Sequence, residues 1–78
     1  MLPSVTYIRE WHRLGLEKEA THMLVAQDHV DNDYYPVYVR LGDTEESVRK
    51  GLNDKVVEVF SLAIDLEEQL LLRSENDN

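Results

Sequence analysis

A chain of 78 residues, 42% hydrophobic and 31% charged, carries apolar material for one small core and too much of it for a wholly disordered segment. Sixteen acidic against eight scattered basic side chains give a net charge of −8, which argues against direct nucleic-acid binding and leaves either a solvated surface or one that faces a basic partner. The lack of cysteine excludes disulfides, thiolate metal sites and a cysteine nucleophile. No apolar run approaches the roughly 18 residues of a membrane span, and no basic segment with an apolar signal core opens the chain, so it reads as one cytoplasmic domain over residues 1–78.

Ser4 is placed to cap a helix that begins near Val5 and runs toward Glu19, with Pro3 where a missing amide costs little. At 100° per residue Val5, Ile8, Trp11 and Leu16 share a broad arc, widened by Tyr7 and Leu14, while Arg9, Glu10, Arg13 and Glu17 gather opposite. Gly15 lies near the middle of that arc. It either lets the helix approach a sheet closely or ends the helix early. His12 at the edge of the arc is read as a partly buried structural histidine.

From His22 the period changes to two: Met23, Val25 and Gln27 fall on one side of a strand, His22, Leu24 and Ala26 on the other. A second run alternates Val37, Val39 and Leu41 with Tyr38 and Arg40, and Pro36 marks its start. The two form a predicted hairpin whose connection, residues 28–35, is longer and more acidic than the commonest turns, and so is a candidate binding element. Asp43 and Glu46 have capping-box spacing ahead of a short helix, in which Val48 and Leu52 share a face and Glu45–Arg49 and Glu46–Lys50 are four apart; Asn53 and Asp54 end it. Residues 56–64 predict a third strand, a candidate for the centre of the sheet, with Val57 and Val59 on one side and Val56, Phe60, Leu62 and Ile64 on the other. Asp65 and Glu68 have capping-box spacing and, with Leu66 and the run Leu70, Leu71, Leu72, predict a short terminal helix, and residues 74–78 read as a frayed polar tail. The resulting fold class is α+β, in the order α-β-β-α-β-α, with a three-stranded, mainly antiparallel sheet and helices packed on it. Periodicity alone leaves open whether the third strand joins the first or the second.

The segments EATHMLV (residues 19–25) and DYYPVYV (residues 33–39), with Glu10 and Trp11 upstream, Asp28 and Asp31 between and VVEVF (residues 56–60) downstream, resemble a family of small bacterial and phage-type hypothetical proteins. Its pattern is a GATHM-like strand start, an acidic turn and a DYPVYV-like strand. The resemblance implies a shared αββαβ-type fold and carries no active site. The chain departs from the pattern at Glu19, where glycine is usual, and in the doubled tyrosine of Tyr34 and Tyr35.

Asp28, Asp31 and Asp33 with His29 form the most metal-like cluster, since hard cations take several carboxylate oxygens. Counted as a calcium loop from Asp31, however, the sixth position is Pro36 where glycine is needed and the twelfth is Gly42 where glutamate is needed. His22 and His29, seven apart, point to opposite faces of a continuous strand. No zinc-helix, phosphate-loop or nucleophile-elbow motif occurs, and none of the four serines has a catalytic neighbourhood, so neither an enzyme nor a cofactor is expected. Tyrosines beside aspartates suit a partner that carries arginines, which makes Asp28, Asp31, Asp33, Tyr34, Tyr35, Glu45 and Glu46 the candidate partner-binding residues. The leading expectation is a small acidic, non-enzymatic protein-binding module, by analogy of composition with phage-type inhibitors that present a negative surface to nucleic-acid-binding proteins. The alternatives are a homodimeric accessory protein joined through Leu70, Leu71 and Leu72, and a metal- or ligand-binding domain built from His22, His29 and the three aspartates.

Overall fold

The first helix begins where the sequence places it. In the computed structural model, which describes residues 2–76 with side chains to residue 73, Ser4 has extended backbone and its hydroxyl accepts the Thr6 amide at 3.2 Å, starting α1 (Val5–Glu17). Its buried stripe is Ile8, His12 and Gly15, a spacing of four and three. Leu16, expected on that stripe, is 53% exposed, because it lies about 80° around the helix from Ile8. Gly15 settles between its two readings as a close-approach glycine: a Cβ there would stand 2.8 Å from Cε1 of Tyr38 on the sheet below.

The helix ends at Glu17, two residues before Glu19. Lys18 still has helical backbone, its amide bonding back to Leu14 and Gly15, and Glu19 then turns the chain with φ 58 while its amide donates to the Leu16 carbonyl at 3.2 Å. This is a left-handed position, which glycine fills at no steric cost. Glu19→Gly is expected to stabilise the protein by about 0.5–1 kcal/mol, relief of left-handed strain outweighing glycine's greater unfolded-state freedom. Chemical denaturation checks this, and a loss of stability would contradict it.

Three strands follow: β1 (Ala20–Gln27), β2 (Tyr34–Arg40) and β3 (Lys55–Ser61). The sheet order is β2-β1-β3 and both pairings are antiparallel, so β1, not the β-branched third strand, is central. β3 joins the first strand rather than the second. Pro36 stands opposite Val25 on edge strand β2, where a missing amide is tolerated. In β3 the register slips: Val25 pairs with Glu58 but Ala26 with Val56, leaving Val57 as a bulge. That extra residue breaks the simple alternation predicted for 56–64, so Val57 joins the core of Phe60 while Val56 and Val59 face the other way.

α1 and α3 (Leu66–Asn76) cover one face of the sheet, where Ile8, Met23, Val25, Phe60, Leu62 and Leu66 form the core. The backbone of residues 74–76 continues α3, where a frayed tail was expected to start at 74; residues 77 and 78 lie outside the described part. His12 reaches across from α1, its Nε2–H donating to the Ser61 carbonyl at 3.2 Å, the structural role expected of it. On the opposite face Leu24, Ala26 and Val39 are almost wholly buried. Since β2 and β3 run in the same direction on either side of β1, residues 41–54 must travel back along the sheet, and this segment, with α2 (Glu45–Lys50) and half-buried Val48 and Leu52, covers that second face. The cap of α2 is Thr44, one residue after the expected Asp43: its hydroxyl accepts the Ser47 amide at 3.1 Å. The expected Glu45–Arg49 and Glu46–Lys50 pairs form, at 3.0 and 3.3 Å. Among the described residues no helix is long and apolar enough to cross a membrane.

Candidate partner-binding groove

The hairpin connection is an ordered six-residue turn, residues 28–33, built around Asp28. Its carboxylate accepts the amides of Val30 at 2.7 Å and Asp31 at 2.9 Å, its carbonyl accepts the Asn32 amide and its own amide donates to the Asp33 carbonyl, both at 2.8 Å. Asn32 takes the left-handed conformation, φ 62, that closes the turn, and Gln27 Nε2 donates to its carbonyl at 3.2 Å. Asp28 is therefore a structural residue. Asp31 and Asp33 are left exposed at the tip.

Tyr34 and Tyr35 part company at the start of β2, as neighbours on a strand must. Tyr34 packs against the core on the face covered by α1 and α3. Tyr35 projects to the second face, where its hydroxyl donates to Oδ2 of Asp54 at 2.5 Å. The other oxygen of Asp54 accepts both the His29 amide at 3.1 Å and the His29 ring at 2.5 Å. Asp54, read from the sequence only as a helix terminator, is thus a clasp between the turn and the end of the crossover. Its hydrogen bond from Tyr35, then those from His29, hold its carboxyl below the usual range; the same contacts raise His29 and push the Tyr35 hydroxyl up to about 12, which keeps it protonated at neutral pH.

The clasp has a defined pH window. Below the ordinary histidine value of 6.5 the ring is charged whether or not the chain is folded, so the ion pair contributes fully, and its contribution is lost as pH rises through the raised folded-state value. Asp54 contributes above its ordinary 3.8 and ceases to as pH falls through its lowered value. The Tm difference between wild type and His29→Gln is expected to be largest between these two ordinary values and to shrink above neutrality. A difference independent of pH would rule out the charged clasp.

The remaining expected site residues do not join this end of the molecule. Glu45 and Glu46 begin α2 beyond the far end of β2, roughly 20 Å away by the length of a seven-residue strand, and each is already paired with a base. His22 is on β1 opposite Val39, its Nδ1 3.2 Å from the Thr21 hydroxyl. Among the described residues no three His, Asp or Glu side chains converge as a metal site would require, so the His22, His29 and aspartate grouping does not assemble. In α3 Leu70 turns toward the core, while Leu71 and Leu72 are exposed.

What the turn does border is a concavity of about 530 Å³, lined by Leu2, Pro3, Ser4, Tyr7 and Trp11 from the N-terminal side and by Asn32, Asp33 and Tyr34 from the hairpin. Tyr7 and Trp11, four apart on α1, stack with ring centroids 5.8 Å apart and planes at 22°. Sequence periodicity assigned both to the core arc, and half-buried Trp11 does pack against the core while Tyr7 is exposed; their i, i+4 spacing was the available signal that the two rings meet. Comparison of the chain with protein-family models, curated proteins and solved structures gives no match.

Proposed function

We propose that the protein is a non-enzymatic module that binds a basic protein through the hairpin end of the molecule. The observation that carries this reading is how the chain's charges are spent. Of its eight basic side chains, Arg9, Arg13, Arg49, Lys50 and Arg73 are held in ion pairs with the chain's own carboxylates at 2.6–3.3 Å. Lys18 lies over the Tyr38 ring. The surplus of acid is therefore not neutralised locally, and Asp31 and Asp33 stand exposed at a turn already made rigid by Asp28. A rigid acidic tip beside exposed aromatic surface suits a partner rich in arginine, through charge-assisted hydrogen bonds and stacking. An inhibitor that occupies a nucleic-acid-binding surface is the specific form of this function that the size and charge favour.

Capture from a cell lysate tests it. The wild-type protein is expected to retain a basic protein at low salt and release it at about 0.5 M salt, where screening shortens electrostatic reach to a few ångströms. An Asp31→Asn, Asp33→Asn double variant is expected to retain much less. Capture indifferent to salt and to both substitutions would refute the electrostatic reading.

A further inference from the structure

The lining of the groove selects among basic groups. We infer that it receives a single arginine side chain of the partner, an assignment that rests on the partner-binding reading above. Tyr7 and Trp11 lie nearly parallel, so they present a continuous aromatic wall rather than an enclosing box. Tyr34 comes from the strand side, Leu2 and Pro3 add apolar surface, and Asp33 carries the one charged side chain among the described residues of the lining. The Asp33 carboxylate is engaged by no hydrogen bond or ion pair among the described residues.

A guanidinium matches each of these features. It is planar and stacks on aromatic faces, its paired N–H groups fit one carboxylate, and its three-carbon stem covers apolar surface. A lysine ammonium is a compact, strongly hydrated charge that gains less from a flat wall. A quaternary ammonium gains most from an aromatic cage, which this wall does not form. A nucleotide would stack, but its phosphates would enter the field of a chain of net charge −8. The volume, about 530 Å³, holds one long side chain with its flanking backbone.

Trp11 is the chain's single tryptophan, so its fluorescence reports on this groove alone. The probes are three acetylated, amidated peptides, identical except for a central arginine, lysine or citrulline. The arginine peptide is expected to shift Trp11 emission saturably and to bind about tenfold more tightly than either of the others. Asp33→Asn is expected to weaken the arginine peptide about tenfold while leaving the citrulline peptide unchanged, and Tyr7→Ala, at a 62% exposed position, to weaken the arginine peptide without lowering Tm. Equal binding of lysine and arginine peptides, or indifference to Asp33→Asn, overturns the assignment. If a basic protein is captured salt-dependently and equally by wild type, Asp33→Asn and Tyr7→Ala, the groove assignment fails and the module reading stands. If the arginine peptide binds as described but no basic protein is captured, the groove stands and the partner reading falls.

Discussion

Replacing Gly15 by alanine is expected to destabilise the protein by about 1–2 kcal/mol, opposite to the usual effect of that substitution inside a helix. At an exposed position alanine gains about 1 kcal/mol over glycine from backbone entropy. Here the added Cβ would stand 2.8 Å from Cε1 and 3.1 Å from Cδ1 of Tyr38, and 3.0 Å from Cδ1 of Leu62. The Tyr38 ring has little room to withdraw, because its hydroxyl donates to the Trp11 carbonyl of the same helix at 2.6 Å, tying it beneath α1. Overpacking of this kind costs about 1–3 kcal/mol and more for a larger side chain, so valine at this position is expected to cost over about 3 kcal/mol. Urea denaturation measures both variants. An alanine variant as stable as wild type would show that α1 lifts off the sheet at no cost, contrary to the packing described.

Arg73→Met is expected to cost about 3 kcal/mol, the lower end of the penalty for removing one partner of a buried ion pair. Arg73 Nε lies 2.8 Å from the Glu58 carboxylate, with the two side chains only 13% and 11% exposed, and its Nη2 donates to the Pro3 carbonyl at 2.6 Å. One guanidinium thereby joins α3, β3 and the N-terminal residues that line the groove. Methionine retains much of the volume but leaves Glu58 without that cation in a poorly hydrated position. Adding Glu58→Leu is expected to recover most of the loss, since an apolar pair of similar size carries no desolvation cost. A double-mutant cycle by denaturation separates the two contributions. If the double variant is no more stable than Arg73→Met alone, the loss comes from the contact with Pro3 and not from the broken ion pair with Glu58.

The elements legible in the sequence are those fixed by local chemistry. Ser4 before Val5 marked the start of α1, alternation from Met23 to Gln27 marked β1, and the spacing of Glu45 and Arg49 foretold an ion pair. Features decided by distant contacts were not legible. Nothing local in residues 55–61 says that the strand is an edge or that Val57 is a bulge, because both depend on its pairing with β1. The cap fell on Thr44, one residue after the expected Asp43, because backbone geometry decides which of two adjacent capping side chains meets the first turn. In the candidate site, Asp33 and Tyr34 were singled out by residue type, and the structure places both in the lining of the groove. Asp54 was missed because its donors His29 and Tyr35 lie 25 and 19 residues away. The sequence reads Tyr34 and Tyr35 as the end of the connection, and their opposite destinations follow only from β2 starting at Tyr34 instead of Pro36.

The sheet order also imposes a sequence of assembly. β1 and β2 are joined by a six-residue turn and can pair early, but the other side of β1 stays open until β3 returns along the length of the sheet, and half of the core cluster, Phe60, Leu62 and Leu66, arrives with or after it. On a ribosome the central strand therefore waits for the last third of the chain with one edge unpaired. The turn that follows β1 leaves Asp31 and Asp33 exposed, and like charges beside an open strand edge oppose edge-to-edge pairing of unfinished chains.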